Sequence, residues 1–558
     1  MFPTEAKSFS ELFSGGQITV NLAFSILNAF LLFYASIKLL LVLQQGGYKF
    51  RRYFKWVGSP ETPYLTRLML LCLLGFLFFC VLNMCFANIF GNAVTSYIGF
   101  ISYALFTSLY IHSEKSVNVK VPLKKTKRMV RLSITYMLVL TAVTFGFIVL
   151  FDYLAFIIKD DIVGLLRYAL ICGMPILLPY LLFVSYCINE PFEELVRRHY
   201  VRVATNKLQN SHVIKIGITG SYGKTSVKEI LTTILSQKYR VLSTPASFNT
   251  PLGISMAVKH LDSTHDIFIA EMGARYRGDV KYLCNMVKPT YAVLTGVNNQ
   301  HLESFGSIEE TKATKYELFE DLPSNAKAFF SADNENSVEL CNKFGGEKYT
   351  TGINGEQNLV TAENIVTDSN GTTFTLLIKG EKPIECNTIL LGKHSVSNIC
   401  LASAVAYQLG LSVEEIASGI NRIKSVGHRL ELVLNNRGIV IIDDSYNSNV
   451  DGVKAAMEVL DTFIGRKIVV TPGLVELGKM ENVANLEFGK LLSKHADMVF
   501  VIGKHNAEMI VSGLIEGGMN RENIVFAKSL NKGNDLLNAI LKEGDVVLFA
   551  NDLPDNYN

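Results

Sequence analysis

Five apolar stretches, at about 18–43, 68–90, 93–112, 132–157 and 163–188, constrain this chain more than any other feature. A helix needs roughly 20 apolar residues, at about 1.5 Å each, to cross a hydrocarbon core. Inside hydrocarbon the backbone must satisfy its own polar groups, which favours helices. The first 190 residues therefore read as a helical transmembrane domain of five spans. Hydrophobic residues make up 49% of the 558, and the excess lies almost wholly in this part. Pro175 and Pro179 should kink the fifth span, and Lys38 and Arg167 should reach toward the span ends rather than form a site.

Loop charges set an expected orientation. The first connection carries Lys49, Arg51, Arg52 and Lys55, and the third carries seven basic residues between Lys115 and Arg131. The connections near Gly91-Asn92 and Lys159–Asp161 are short and not basic. Both basic loops belong in the cytoplasm, with the N-terminus outside and everything after residue 188 inside. Pro3, Glu5 and Glu11, without a basic leader, argue against a cleavable signal. Residues 189–210 read as a connector helix lying at the cytoplasmic surface.

Residues 1–210 hold 20 Lys and Arg against 10 Asp and Glu, so the remainder is acidic at a formal −7. The basic front suits anionic headgroups of a lipid bilayer. The acidic back excludes general nucleic-acid binding, which needs clustered cations. Nine scattered cysteines with no Cys-x-x-Cys pair match neither a metal nor a disulfide framework.

From His212 the texture changes to β-branched runs alternating with helical patterns, which predicts wound α/β sheets. A strand at Val213–Thr219 runs into Gly220-Ser221-Tyr-Gly223-Lys224-Thr225-Ser226 and then a helical stretch. Backbone N–H groups of such a loop close round phosphate oxygens, and the helix N-terminus favours anions. Lys224 would reach the β- and γ-phosphates and Thr225 a Mg²⁺ ion. Only the shorter Gly-x-x-Gly-Lys-Thr is present, because the first glycine of the full loop pattern would fall at Ile218. Further polar clusters end later strands: Ser247–Gly253, Glu271-Met-Gly273, and the loop Thr295–Ser307 with His301. Lys312 and Lys315 follow at the start of a helix. Taken singly, each has a plain structural reading. Because ligands sit off the carboxyl ends of wound strands, Thr225, Glu271 and His301 should converge on Mg²⁺ and a triphosphate.

These residues resemble the Mur ligase family, most closely its members that add D-alanyl-D-alanine in peptidoglycan synthesis. The matching stretches are Thr219–Lys228, Asn249 with Gly253, Glu271–Ala274, His301–Ser307 and Lys315–Glu317. They continue through Gly392–Asn398, Gly427–Arg429, Asp443–Asn449 and Glu476–Gly478, in the family's order. The resemblance does not touch the transmembrane domain at 1–210; for the rest it implies a central ATP-binding α/β domain at 211–432 and a C-terminal Rossmann-like domain at 433–558. It implies that Gly220, Ser221, Gly223, Lys224, Thr225 and Ser226 cradle the ATP phosphates. Thr225 and Glu271 would hold one Mg²⁺, and His301 a second together with Lys315 as a CO₂-derived carbamate. Asn398 would meet adenine, Arg429 and Asp444 the nucleotide from across the domain boundary, and Asn249, Tyr446 and Asn447 the substrate. Lys224, Glu271, His301 and Lys315 are thus the catalytic set, in a ligase that activates a carboxylate as an acyl-phosphate and couples it to an amine.

Five departures qualify the amine and the acceptor. Membrane spans stand where relatives carry a soluble nucleotide-sugar domain, which suggests a membrane-associated envelope acceptor. Asn485 replaces an expected histidine, Ala550–Leu553 replaces Lys-Gly-Ser-Arg, and Val450 and Ser395 replace Pro and Asn. The amine is then an amino acid or small peptide not fixed as D-alanyl-D-alanine. Two other readings are a membrane-anchored polyglutamate-type synthetase and, from another class, an ATP-driven exporter.

Overall fold

The computed structural model describes residues 14–58, 64–115, 123–158, 161–298, 305–353, 355, 357–434, 438–446, 450–475, 477 and 480–551. The chain divides into two compact units, Met1–Val196 and Arg197–Asn558.

The first unit is helical: α1 Gly15–Ala35, α2 Ile37–Gln45, α3 Phe50–Val57, α4 Tyr64–Lys115, α5 Lys127–Ile158 and α6 Asp161–Gln209, the last running on into the second unit. Ser36 separates α1 from α2 inside the first expected span, turning its hydroxyl back onto the Phe33 carbonyl at 2.8 Å. Among the described residues, three helical stretches are long and apolar enough to cross a membrane: Gly15–Ala35, Lys127–Ile158 and Leu170–Gln209; Arg67–Leu82 is apolar but shorter. The helix α4 is assigned without a break, although a connection was expected near Gly91-Asn92. It cannot be straight. A Cβ on Gly75 would lie 3.5 Å from Phe106, and the Phe78 and Phe106 rings are 5.8 Å apart. In a straight helix residues 75 and 106 would be about 45 Å apart at ~1.5 Å per residue. The chain therefore doubles back within α4, giving it two arms.

Helices α1 and α5 share a polar seam. Gln17 donates to Asn21 at 3.0 Å, Asn21 to Asp152 at 3.2 Å, and Asn28 to Thr144 at 3.3 Å. Interhelical bonds of this kind hold apolar helices in register where burial of apolar surface supplies no drive.

The end of α6 departs from the expected surface connector. Val201, Ala204 and Leu208 are buried against Val213, Ile254 and Phe268 of the second unit's core. The division between the two compact units falls at Val196–Arg197, inside α6.

The second unit contains two sheets. Strands β1 Ile214–Thr219, β2 Val241–Ser243, β3 Ile267–Glu271, β4 Tyr291–Leu294, β5 Lys327–Ser331 and β6 Glu347–Thr351 lie in the order 2-3-1-4-5-6 with parallel pairing. Strands β7 Val360–Asp368, β8 Gly371–Ile378 and β9 Ile384–Thr388 extend this sheet as an antiparallel flap that periodicity alone did not reveal. The helices that position the site are α7 Lys224–Leu235, α8 Pro251–Val258, α9 Asp279–Val287, α10 Ile308–Glu320 and α11 Lys393–Gln408. Buried Ile216, Ile218, Ile267, Ile269 and Val293 present one apolar face, which α7 and α11 cover.

The second sheet has β10 Glu431–Leu434, β11 Val440–Asp444, β12 Lys467–Thr471, β13 Met498–Ile502, β14 Ile524–Ala527 and β15 Val546–Ala550, in the order 10-11-15-12-13-14. Only β10 is antiparallel to its neighbour. It already belongs to this sheet at Glu431, so the second α/β layer begins slightly before residue 433.

Candidate active site

The loop between β1 and α7 needs its glycines for two distinct reasons. Gly220 has φ 150°, and a Cβ there would lie 2.0 Å from the Thr295 hydroxyl. Gly223 has φ 75°, the left-handed region, and its Cβ position is 3.1 Å from Asn398 Oδ1 on α11. The loop is thus wedged between the tip of β4 and α11. Asn398, expected to meet adenine, stands beside the phosphate-loop turn.

Lys224 opens α7 and folds back over the loop, donating to the carbonyls of Gly220 at 2.7 Å and Ser221 at 3.0 Å. Burial pushes its ammonium down to about 8; the Glu271 carboxylate opposes that shift and the Arg429 guanidinium adds to it. Thr225, next along α7, donates its hydroxyl to Glu271 Oε2 at 2.9 Å. Arg429, from just before β10, reaches the same hydroxyl at 3.4 Å and stacks on Tyr446, 4.5 Å from the ring centre.

Glu271 ends β3 and is almost fully buried at 1% exposure. Both of its oxygens are held: Asn249 donates to Oε1 at 3.1 Å, and Lys228 lies 3.4 Å from Oε2. Asn249 comes this close because Gly273 has no side chain; a Cβ there would sit 2.6 Å from the Asn249 carboxamide. Lys228 is fully buried and also donates to the Ala246 carbonyl. It stands one turn after Lys224 on α7, so the i, i+4 spacing was the available signal for a residue to which sequence reasoning gave no role.

Lys315 on α10 is 3% exposed, with its ammonium 5.7 Å from the Phe305 ring centre. Burial pushes it down to about 7, nearby Lys224 adds to the shift, and Asp279 and Glu317 oppose it. Glu317, two residues along, accepts from the backbone N–H groups of Gly278 at 2.7 Å and Lys281 at 2.9 Å and so ties α10 to the start of α9. Lys312 is different: it is ion-paired to Glu309 and Glu339, a structural role.

Three residues join the two sheets across the site. The Tyr446 hydroxyl is 2.6 Å from that of Ser247, Asn298 donates to Asp451 at 2.8 Å, and Arg429 meets Thr225 as above. Asp444 at the end of β11 accepts from the Leu430 N–H at 3.3 Å and so braces the segment carrying Arg429. Ser221 donates to the Asn298 carbonyl at 3.4 Å, and Ser226 lies in the first turn of α7. The structure therefore brings Lys224, Thr225, Glu271, Asn249 and Arg429 together, with Lys315 near Lys224. His301, Asn447, Glu476 and Gly478 lie outside the described residues.

Chemically this is a site for anions and a hard cation. Lys228 lies between the Glu271 and Glu229 carboxylates, at 3.4 and 3.2 Å, which leaves the charge of Lys224 and Arg429 for phosphate oxygens. The Thr225 hydroxyl and the Glu271 carboxylate are oxygen donors of the kind Mg²⁺ takes, and the bonds from Asn249 and Lys228 orient that carboxylate. Among the described residues no group of three or more His, Cys, Asp or Glu side chains forms a metal cage.

The residues in which the sequence departs from its relatives' pattern are mostly structural. Asn485 is fully buried and bonds both the N–H and the carbonyl of Leu474, at 2.8 and 2.9 Å. Asn551 adopts φ 67° and donates to the Gly473 carbonyl at 2.6 Å. Together they clamp the turn after β12. Ser395, in the first turn of α11, donates to the Leu391 carbonyl at 2.8 Å.

Comparison with known proteins adds the following. The model of the Mur ligase middle domain matches residues 218–406, and that of the Mur ligase glutamate ligase domain matches residues 428–551. A UDP-N-acetylmuramoyl-tripeptide–D-alanyl-D-alanine ligase of Bacillus subtilis is 30% identical over 62% of this chain and 75% of its own length. Its Escherichia coli namesake is 31% identical over 52% of this chain, which spans 65% of that relative's length. The MurF ligase of Thermotoga maritima, solved in complex with ADP, superposes with a TM-score of 0.58 at 26% identity, covering 64% of this chain and 80% of that one.

Proposed function

The chain belongs to the Mur ligase family, and from that premise we propose that it is an ATP-dependent ligase that forms an amide bond between a carboxylate and an amine. The observation that carries this reading is Thr225, whose hydroxyl lies between the buried Glu271 carboxylate and Arg429 from the other sheet. Phosphates bound at the α7 N-terminus would thereby contact both sheets at once.

In this reading the loop amides and Lys224 hold the phosphates, and Arg429 places a second cation against them. Mg²⁺, when bound by Thr225 and Glu271, would neutralise charge on the transferring phosphoryl group. The acceptor carboxylate attacks the γ-phosphorus and expels ADP. The amine then attacks the acyl-phosphate carbonyl, phosphate leaves, and the amine loses its proton. Positioning and charge stabilisation are the main contributions required of the protein in phosphoryl transfer. Lys315, held near neutrality, is able to add CO₂ as a free amine; the carbamate would be a further oxygen ligand.

The acceptor in this proposal is a membrane-associated envelope carboxylate, and the ligase half faces the cytoplasm. The support is the apolar helical unit that occupies the first 196 residues and the clustering of basic residues in two of its connections. The test is an isotope experiment on the full-length protein in membranes. Acceptor carboxylates labelled with ¹⁸O should pass label into released phosphate, only when the amine and ATP are both present. Label-free phosphate alongside amide formation would overturn the acyl-phosphate route. Equal turnover of a soluble uridine-nucleotide muramyl peptide would overturn the membrane acceptor while leaving the ligase chemistry standing.

A further inference from the structure

The second unit carries an exposed apolar stripe that neither its core nor the candidate site uses. Helix α8 buries Ile254, Ala257 and Val258 in the core. Its other side presents Leu252 and Met256, one turn apart, with Phe248 four residues ahead of them, at 41%, 45% and 37% exposure. Phe248 is laid onto this helix because Gly253 has no side chain: a Cβ there would sit 3.0 Å from that of Phe248. Grouped apolar side chains left in water, with polar residues round them, mark a surface that another body covers.

Two observations identify that body. The first is where the stripe ends. Just past α8, Lys259 holds its ammonium 4.4 Å from the Tyr200 ring centre, and its carbonyl accepts from Lys207 at 3.1 Å. Tyr200 and Lys207 lie in the last turns of α6, the helix that comes from the apolar unit. Tyr200 stands four residues past Val196, where that unit ends, or about 6 Å along a helix. Val203, one turn before Lys207 on the same side of α6, is itself exposed. The second observation is charge. Arg202, Lys207 and Lys259 are exposed, and no carboxylate pairs with them among the described residues. Apolar side chains flanked by such cations are what a helix lying on anionic lipid presents.

We propose that α8 docks on an anionic bilayer surface, with Phe248, Leu252 and Met256 among the lipids. The inference rests on the membrane reading above and deepens it, because it places the mouth of the site. Ser247 and Asn249 flank Phe248; the first meets Tyr446 at 2.6 Å and the second Glu271 at 3.1 Å. With Phe248 at the lipid surface the site opens at headgroup level, where a lipid-borne carboxylate presents itself.

The test uses full-length protein in nanodiscs of phosphatidylcholine and phosphatidylglycerol brominated on their acyl chains. Trp56 is the only tryptophan of the chain, so Trp56→Phe gives a background for single probes. Leu252→Trp and Met256→Trp should be quenched by the brominated lipids, because a docked helix sits about 5–10 Å into the headgroup and acyl boundary. Ile464→Trp, at a position 98% exposed just before β12, should not be. A Phe248→Trp probe should lose most of its quenching when Leu252→Glu and Met256→Glu are added, with binding of a fluorescent nucleotide retained. Equal quenching at 252, 256 and 464, or none at any of them, would overturn the docking, even if the glutamate variant fails to fold. Shielding of the 252 and 256 probes from acrylamide without lipid quenching would overturn it too, since protein would then cover the stripe. None of these readings needs turnover, so they leave the ligase chemistry standing. Protein that does not remain with the nanodiscs would instead bring down the membrane reading, and the inference with it.

Discussion

Lys315 shows most directly how burial sets chemistry at a single residue. With its ammonium pushed down to about 7, the amine is mostly neutral above that pH and mostly protonated below it. Only the neutral amine adds CO₂, so activity should fall as pH drops from 8 to 6, and removing CO₂ should hurt most near the low end. Lys315→Ala should lose activity by roughly 100-fold, the scale of removing one charge-stabilising group, and regain part with added short carboxylic acids. Wild-type-like rates in Lys315→Ala would remove the carbamate. Lys228 belongs to the same scale. It and Glu271 form a pair at 0% and 1% exposure, and removing one partner of a buried pair costs about 3–5 kcal/mol. Lys228→Met should therefore lower the denaturant midpoint, and adding Glu271→Gln should recover part of the loss; additive losses would mean the two charges are not coupled. Lys224 and Thr225 were legible from the Gly-Lys-Thr spacing, whereas Lys228 only acquires meaning when β3 brings Glu271 under α7.

Among the elements, the phosphate loop was the most readable, because strand, glycine turn and helix follow one another within 22 residues, from Ile214 to Leu235. Its rigidity comes from farther away, since β4 and α11 wall it in. Gly220→Ala would drive a Cβ into the Thr295 hydroxyl. Strain of about 1–3 kcal/mol should weaken ATP affinity by about tenfold or more in titration with a fluorescent nucleotide, with the far-ultraviolet dichroism unchanged. Unaltered affinity would show that the loop tolerates the displacement. The antiparallel flap β7–β9 was harder to read. Alternation along β7 and β8 is mixed, whereas the two arms of α4, which meet at Gly75, Phe78 and Phe106, follow the two apolar runs that Gly91-Asn92 separates in the sequence.

On the scale of the whole molecule, an apolar helical unit and an acidic two-sheet unit share one chain. If the helices Gly15–Ala35, Lys127–Ile158 and Leu170–Gln209 cross a bilayer, the protein should stay with membranes through an alkaline carbonate wash and be released only by detergent. Release by high salt alone would mean that charge rather than insertion holds it. The two sheets meet through Arg429, Tyr446 and Asn298 at sites some 150 to 200 residues apart in sequence from their partners, so the nucleotide site is a property of the pair of sheets and not of either alone.

Taken alone, the sequence determined what depends on local order: apolar runs long enough to cross a bilayer, the glycine loop before α7, and polar residues at strand ends. These are short-range patterns, written in consecutive residues. Tertiary structure decided the rest: that Glu271 is held by Lys228 and Asn249, that Asn485 and Asn551 are spent on a turn, and that one face of the end of α6 packs into the second unit's core. The physical reason is that burial and charge partnership depend on which distant segments pack together, and spacing along a chain carries no record of that.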